Sequence, residues 1–195
     1  MRYITLLLTW IFASVMVNAA DFKFQHLNTS CGLPNQQVEC MVQDNNGYIW
    51  IGTRNGLARY DGYNVDTYYH VEGQPNSLVH NFVHGLFVDS KHRLWISTEN
   101  GVSMYRPETD DFRNYINVRG YCTSFAETND GRILTGSGQL YAYDAKTDSF
   151  VVIPSLNAGT IASLAKDRAG NIYVSASQMI FSMSANLTKI LPLNI

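Results

Sequence analysis

The sequence predicts an all-β protein, a β-propeller with about four blades of four antiparallel strands each. The first reason is a repeat. Residues 44–60, DNNGYIWIGTRNGLARY, return 45 residues later as 89–105, DSKHRLWISTENGVSMY, with aromatic, glycine and carboxylate positions in register. The second reason is the form of the unit, which has short alternating strands separated by tight turns. A period of about 40–45 residues in such a pattern is typical of propeller blades.

Two weaker copies follow, with turn glycines at Gly131 and Gly170, 39 residues apart. Three residues after each turn position stands a large side chain, and two residues later a small one. The large residues are Trp50, Trp95, Leu134 and Tyr173, and the small ones are Gly52, Ser97, Gly136 and Ser175. We therefore predict a lead-in over 20–34 and four blades over 35–77, 78–117, 118–157 and 158–195.

Blade 1 illustrates how the elements are derived. Its four strands are predicted over 37–43, 48–52, 56–60 and 64–69. Alternation in the first strand places Val38, Cys40 and Val42 on one face. Asp44 is expected to bond to backbone two residues later, and Gly47 to take the left-handed conformation that closes the turn. The structural repeat positions predicted in this way are Asp44, Gly47, Trp50, Gly52, Gly56, Asp89, Trp95, Gly101, Gly131 and Gly170.

The two ends of the repeat array are predicted to be open. A strand-like segment, 21–27, precedes blade 1, and in a closed propeller such a strand commonly completes the last blade. The chain ends just after the fourth repeat, whereas blades of this length usually build larger rings. Rings of four blades exist. We nevertheless expect an open arc, the N-terminal part of a longer protein, because repeat units need neighbours or caps to cover their apolar faces.

The first 19 residues are predicted to be a cleaved secretory signal peptide. Arg2 supplies a positive charge, 3–17 an apolar stretch, and Val17-Asn18-Ala19 a small-residue cleavage site. The apolar stretch has 15 residues, whereas a membrane span needs roughly 20. The mature chain is therefore expected in the periplasm, without a membrane span of its own.

Composition argues against several kinds of site. A net charge of −2 offers no basic face for nucleic acid. Three cysteines remain after signal cleavage, Cys31, Cys40 and Cys122, and since an odd number cannot pair completely within one chain, a structural disulfide is not favoured. His80 and His84 are four residues apart but lack a third ligand, so neither a metal site nor a cofactor is predicted.

Blade 1 also contains a longer motif. The run CGLPNQQV over 31–38 is followed by QDNNGYIWIGTRNGLARYDG over 43–62. This resembles the two-component regulator propeller repeat, which has the form GLPxNxV and then QDxxGx[IL]W[IV]GTxxGLx[RK][YF][DN]G. Blade 2 keeps the motif at Asp89, Trp95, Ile96, Thr98, Gly101 and Tyr105 and departs from it at His92 and Ser97. Blades 3 and 4 keep little beyond the turn glycines and the size pattern.

The resemblance implies the periplasmic sensor region of a hybrid two-component system of the kind found in Bacteroidetes. Such sensors place propellers and a small immunoglobulin-like domain before one membrane span, and a histidine kinase, receiver and DNA-binding domain after it. The implied ligand is an oligosaccharide. The sequence contains no kinase His box, ATP-binding glycine loop or receiver Asp, so signalling by phosphorelay would belong to a longer parent protein that supplies further blades and the kinase as partners.

Ligand sites on propellers are expected where loops from several blades converge at one rim. The predicted ligand-binding residues are Arg54, Asn55, Glu99 and Asn100 in the turns between second and third strands, and Asn35, Gln36, His80, Asn81 and Tyr121 in the blade connections. Such side chains can satisfy sugar hydroxyls, and they are also ordinary solvated turn residues. Trp50 and Trp95 are expected in the core, because their identical place in the repeat indicates packing between blades.

Two other functional classes compete with a sensor segment. An enzyme such as a glycosidase needs two carboxylates flanking a bond, and Asp110 and Asp111 are neighbours that would point to opposite faces of a strand. Asp44, Asp89 and Asp167 share one repeat position, which indicates turn formation. We therefore predict no catalytic residues. The alternative is a stand-alone secreted propeller that binds a ligand or a protein, or self-associates through a free edge, without a signalling role.

Overall fold

The computed structural model describes residues 26–120, 122, 124–154, 159–183 and 190–193. The predicted signal peptide and most of the strand-like segment 21–27 lie outside the described residues. Within these ranges a short 3-10 helix, Thr29–Cys31, precedes sixteen strands. No helix in these described ranges is long and apolar enough to cross a membrane.

The strands form four separate antiparallel sheets of four, each in chain order. Blade 1 contains β1 (Val38–Gln43), β2 (Ile49–Thr53), β3 (Gly56–Tyr60) and β4 (Val65–Tyr68), and blade 2 contains β5 (Val83–Val88), β6 (Leu94–Thr98), β7 (Gly101–Arg106) and β8 (Asp111–Tyr115). Blade 3 contains β9 (Phe125–Glu127), β10 (Ile133–Gly136), β11 (Leu140–Asp144) and β12 (Ser149–Val152), and blade 4 contains β13 (Ile161–Lys166), β14 (Ile172–Ala176), β15 (Met179–Met183) and β16 (Ile190–Pro192). The predicted fold class, an open propeller arc of four-stranded blades, is confirmed.

The turn between the first and second strands of blade 1 depends on one carboxylate. Asp44 Oδ1 accepts hydrogen bonds from two backbone N–H groups of the turn, at 2.9 and 3.0 Å. Gly47 closes the turn with a φ of 88°, and His92 has a φ of 65° at the same place in blade 2. The second oxygen, Oδ2, accepts a hydrogen bond from Trp50 Nε1 at 2.8 Å. One side chain thus joins the turn to the core.

The two repeat tryptophans fill the spaces between blades. Trp50 and Trp95 are completely buried. The ring centroid of Trp50 lies 4.7 Å from that of Tyr105 in blade 2. The centroid of Trp95 lies 4.9 Å from that of Tyr143 and 5.7 Å from that of Phe150, both in blade 3. Each indole therefore stabilises the contact between its own blade and the next, as edge-to-face and tilted aromatic pairs do in protein cores.

The first strand of blade 1 departs from the predicted alternation. Val38 pairs with Thr53 and Cys40 with Gly52, so Glu39 is an extra residue and forms a β-bulge. Val38 therefore shares a face with Thr53, opposite to Cys40, and 42% of its surface is exposed. The prediction that Val38 lies on the face of Cys40 is wrong, because one additional residue reverses the side-chain alternation of everything before it.

Gly52 lies where blades 1 and 2 approach each other closely. A Cβ atom there would lie 2.5 Å from Cys40 Sγ and 2.6 Å from Val83 Cγ1. We expect Gly52→Ala to lower the free energy of unfolding by about 1–3 kcal/mol, because overpacking forces the two blades apart. Gly138→Ala is the control, since a Cβ at Gly138 meets nothing within 4 Å. Urea unfolding of both variants measures the difference, and equal stabilities would contradict this packing argument.

The outer face of blade 4 exposes a position that the inner interfaces bury. Strand register makes Ile180 in blade 4 equivalent to Leu57, Val102 and Leu140 in blades 1 to 3. The three equivalents are completely buried, whereas Ile180 is 37% exposed. At the other end, the outer face of blade 1 packs on Leu33 from the lead-in segment. The two terminal faces thus have the apolar character of an interface. Among the described residues, only the blade 1 face is partly covered, by the lead-in segment.

Candidate functional site

The predicted rim is formed by the beginnings of the innermost strands together with the turns between second and third strands. Val38 at the beginning of β1 pairs with Thr53 at the end of β2, and Val83 of β5 pairs in the same way with Thr98. The turns 54–55 and 99–100 therefore lie beside the first residues of β1 and β5. We call this edge of the arc the axial rim.

A β-bulge recurs at the axial rim. Register shifts lie between Val38 and Cys40 in β1, between Val83 and Gly85 in β5, and between Ile161 and Ser163 in β13. The extra residues are Glu39, His84 and Ala162. Bulges re-aim side chains and are frequent at the rims of barrels and beside functional sites. The same backbone device therefore presents a carboxylate in blade 1, an imidazole in blade 2 and a methyl group in blade 4.

Five side chains of blades 1 and 2 form a continuous cluster on this rim, which we call the rim cluster. Glu39 Oε1 accepts a hydrogen bond from Arg54 Nε at 2.6 Å. The Arg54 guanidinium carbon lies 5.4 Å from the centroid of the Phe82 ring. That ring stacks on His84 with centroids 4.0 Å apart, and His84 Nε2 lies 2.6 Å from Glu99 Oε2. The cluster thus crosses the interface between the two blades.

The rim cluster remains accessible to a ligand. The side chains of Arg54 and Glu99 are 51% and 43% exposed, whereas His84 is 13% exposed. The Arg54 guanidinium uses Nε toward Glu39 and has two further nitrogens that can donate. Each carboxylate has a second oxygen that can accept. The arrangement therefore combines donors, acceptors and an aromatic face in one small area.

The structure brings together two of the predicted ligand-binding residues, Arg54 and Glu99, and gives others different places. Asn55 and Asn100 are turn residues beside them. His80 Nδ1 accepts a hydrogen bond from the Phe82 backbone N–H at 3.1 Å.

Asn81 has a local structural role in the loop before β5. Its Oδ1 atom accepts from the His70 backbone N–H at 2.6 Å, and its carbonyl accepts from the Gly56 N–H at 2.7 Å. Asn35 Oδ1 likewise accepts from the Gln37 N–H at 2.8 Å, and Gln36 is exposed. Tyr121 lies outside the described residues.

Sequence reasoning missed Glu39, Phe82 and His84. Strand alternation gives no sign of the bulge that turns Glu39 and His84 toward the rim. A signal was nevertheless present, because the two residues stand 45 positions apart, the period of the repeat, and differ completely in chemistry. A position that keeps its place in the repeat while its residue type changes is a candidate for function, since packing alone favours repetition.

The adjacent carboxylates that were considered, and not predicted, as a catalytic pair have structural partners. Asp110 Oδ1 accepts hydrogen bonds from Tyr105 OH at 2.6 Å and from Tyr68 OH in the neighbouring blade at 2.8 Å. Burial opposes ionisation of Asp110, but these hydrogen bonds and the nearby Arg59 guanidinium outweigh it and lower the pKa of the carboxyl. Burial and the bond to Asp110 raise the pKa of Tyr105 to about 12. Asp110 therefore connects two blades as an ionised acceptor.

Blade 3 repeats this connection. Asp148 Oδ1 accepts from Tyr143 OH at 2.9 Å and from Tyr115 OH of blade 2 at 2.7 Å. Asp111, the neighbour of Asp110, instead accepts hydrogen bonds from Arg106 Nε and Nη2, both at 2.7 Å. The two adjacent carboxylates thus serve different contacts and do not face one another across a substrate-sized gap.

The cysteines and histidines form no metal centre in the part of the chain that the structure describes. Cys31, Cys40 and Cys122 are free thiols there, exposed, half-buried and buried respectively. Burial raises the pKa of the Cys40 thiol to about 12. Cys40 is therefore a protonated packing residue at neutral pH.

Comparison with known families decides what the repeats are. Residues 32–55 and 77–100 match the family model of the two-component regulator propeller. Blades 1 and 2 carry two-component regulator propeller repeats. The first matched segment includes Glu39 and Arg54, and the second includes Phe82, His84 and Glu99. The rim cluster thus belongs entirely to the regulator propeller repeats. No curated protein matches the sequence.

Solved structures share the propeller fold. The extracellular domain of the hybrid two component system BT3049 from B. thetaiotaomicron is similar over 87% of this chain, with a TM-score of 0.74 and 21% identity. Virginiamycin B lyase from Staphylococcus aureus is similar over 84%, with a TM-score of 0.64 and 12% identity. The chain spans 26% of the first protein's length and 57% of the second's. At these identities the likeness shows the fold alone.

Proposed function

We propose that this chain is a ligand-sensing propeller segment of a two-component sensor, exported by the signal peptide at residues 1–19, and that it binds an oligosaccharide at the rim cluster. The presence of regulator propeller repeats in blades 1 and 2 supports this proposal. Histidine kinase activity would reside in a longer parent protein, in which the propeller lies in the periplasm. The chain itself would recognise the ligand without converting it.

The chemistry of the rim cluster suits a polyhydroxylated ligand. Sugar hydroxyls both donate and accept hydrogen bonds, so they can pair with the Arg54 guanidinium and with the Glu39 and Glu99 carboxylates. The C–H face of a pyranose ring is apolar and can pack on the Phe82 ring. An extended oligosaccharide, rather than a single sugar, would contact both blades across their interface.

Further blades are the proposed partners of the arc. The outer face of blade 4 exposes Ile180, whose equivalents in blades 1 to 3 are buried against the next blade. Because repeat units are stabilised by their neighbours, the same contact made by an additional blade would cover this face. An added blade would repeat the contact between neighbouring blades that is formed three times within the described arc.

Binding is tested by calorimetric titration of the full chain with maltohexaose, cellohexaose, xylohexaose, mannohexaose and arabinohexaose. We expect one of these to bind and Arg54→Ala to weaken that binding about tenfold, as loss of a charged hydrogen-bond donor does. Phe82→Leu should weaken it through loss of the aromatic face. Arg168→Ala, an exposed arginine in a turn of blade 4, is the control. Binding of none of the probes, or equal affinities of the Arg54 and Arg168 variants, would overturn the proposal.

A further inference from the structure

The residues that strand register aligns with the repeat tryptophan, here called the contact row, change in type in blade 3. In each sheet, strand register aligns one residue of the second, third and fourth strands on the face toward the next blade. The aligned residues are Trp50, Arg59 and Asp66 in blade 1, Trp95, Met104 and Arg113 in blade 2, and Leu134, Ala142 and Val151 in blade 3. Blade 3 thus replaces an indole and a long side chain with leucine and alanine, and its row is the smallest of the three.

A cavity of about 400 Å³ lies beside the reduced row of blade 3, with Ala142 and Val151 in its wall. Its size is within the range of small-molecule sites, about 300–1,000 Å³. In blade 1 the equivalent space is occupied, because the Arg59 guanidinium lies over the rings of Tyr48 and Trp50 at 5.1 and 5.6 Å. The cavity therefore exists where the repeat departs from its own packing pattern.

Among the described residues, the cavity lining has more cationic than anionic side chains, in a chain whose net charge is −2. The four cationic side chains are Lys91, Arg93, Arg132 and Lys146. Arg93 pairs with the buried Asp89 carboxylate at 2.7 Å. Arg132 uses Nε toward Asp130 and keeps its terminal nitrogens for a further acceptor. Within the described residues, neither lysine ammonium group has a carboxylate at ion-pair distance.

The two carboxylates of the lining are engaged within their own turns. Asp130 accepts from the Thr128 hydroxyl and from Arg132 Nε. Asp144 accepts from the Lys146 backbone N–H at 2.9 Å and from Thr147 Oγ1 at 3.1 Å. These hydrogen bonds stabilise the ionised carboxylates without cancelling their charge. Four cationic side chains stand against Asp130, Asp144 and Asp89, the partner of Arg93, so one positive charge is in excess. The lysines and the outer edge of Arg132 are the groups available to an anion from solution.

We propose that this cavity binds a small cyclic organic anion, whose carboxylate or phosphate pairs with Lys91, Arg132 and Lys146 while its ring packs on Val151. Guanidinium and ammonium groups are the usual partners of such oxyanions, and charge-assisted hydrogen bonds are the stronger ones in proteins. The turns that supply the cations connect first to second strands and third to fourth strands, at the end of the blades opposite to the axial rim. The site is therefore independent of the rim cluster and of the function proposed for it.

The test is calorimetric titration of the full chain with D-glucuronate, D-glucose 6-phosphate, D-glucose and inorganic phosphate. We expect one or both cyclic anions to bind and neutral glucose not to bind. Binding of inorganic phosphate as tightly as of glucose 6-phosphate would overturn the role of the apolar wall. The affinity should fall as salt concentration rises, because exposed charges are screened.

Two variants address the two halves of the proposal. Lys91→Gln with Lys146→Gln should weaken binding at least tenfold, whereas Lys166→Gln, an exposed lysine of β13, should leave it unchanged. Val151→Met enlarges an exposed side chain of the cavity wall, so it should fill the cavity and abolish binding while the thermal unfolding midpoint is kept. Unchanged affinity in the filled variant, equal effects of all lysine changes, or no binding of either anion would each overturn the proposal. None of these results depends on whether the rim cluster binds an oligosaccharide.

Discussion

Replacing Trp95 with alanine is expected to lower the free energy of unfolding by about 3–5 kcal/mol. The indole is completely buried between blades 2 and 3, with ring contacts to Tyr115, Tyr143 and Phe150. Two facing sheets cannot collapse onto the space left by an indole without losing their own strand register. Truncation therefore combines lost apolar burial with a residual cavity. Urea unfolding followed by circular dichroism measures the loss.

An exposed aromatic residue provides the control for this variant. Tyr63 in the turn between β3 and β4 is 91% exposed, so Tyr63→Ala should change the free energy of unfolding by about 0.5 kcal/mol or less. If the Trp95 and Tyr63 variants were equally stable, the indole would not support the interface. A lower urea midpoint with an unchanged unfolding slope would show a loss of stability without a change in the surface exposed on unfolding.

The features of the fold that could be predicted are those that the repeat displays. Trp50 and Trp95 return at one spacing because every inner interface needs a large apolar residue at the same point. The turn carboxylates Asp44 and Asp89 return with them, since the same oxygen that shapes the turn also accepts from the indole. Periodicity therefore reveals side chains whose role is identical in each blade.

The connections between blades were harder to predict because their partners are distant in sequence. Tyr68 and Asp110 are 42 residues apart, and Tyr115 and Asp148 are 33 apart. Within one blade the pattern is visible as a tyrosine followed five positions later by aspartate, in Tyr105 and Asp110 and again in Tyr143 and Asp148. The spacing alone does not identify the second tyrosine, which depends on how adjacent sheets stack.

The candidate rim was predictable only where its residues lie in turns. Arg54 and Glu99 follow directly from the assignment of the second-to-third strand connections. Glu39 and His84 lie inside strands, and a β-bulge is a feature of backbone pairing that alternation in one sequence does not show. Reasoning from turns therefore finds Arg54 and Glu99, whereas Glu39 and His84 follow only from the strand register.

Asp89→Asn is expected to lower the free energy of unfolding by about 3 kcal/mol, although the two side chains have nearly the same shape. Asp89 Oδ1 accepts from the Lys91 and Arg93 backbone N–H groups at 2.9 Å. Oδ2 accepts from Arg93 Nε at 2.7 Å and from Trp95 Nε1 at 2.8 Å. An asparagine has one acceptor oxygen, so its NH₂ group would face two N–H groups that can only donate and cannot accept a hydrogen bond.

Asp167 supplies a matched control at the same repeat position in blade 4. Its Oδ1 accepts from a backbone N–H, and its Oδ2 accepts from the Asn171 side-chain amide and the Tyr173 hydroxyl. An amide can flip and a hydroxyl can rotate, so both partners can accept from an asparagine. Asp167→Asn should therefore leave the urea midpoint within experimental error. Equal losses in the two variants would mean that charge, and not donor geometry, determines the cost.

The Asp89 carboxylate also makes the stability of the protein depend on pH in a defined direction. Burial opposes ionisation of Asp89, but the hydrogen bonds from Trp95 and Arg93 outweigh it and lower the pKa of the carboxyl below its ordinary value. Its contribution is then complete above the unfolded-state pKa, about 3.9, and is lost as pH falls through the lower folded-state value. The wild-type protein should therefore lose more stability between neutral and strongly acidic pH than the Asp89→Asn variant, in which this group no longer titrates. Urea midpoints measured across that range would contradict the assignment if the two proteins declined in parallel.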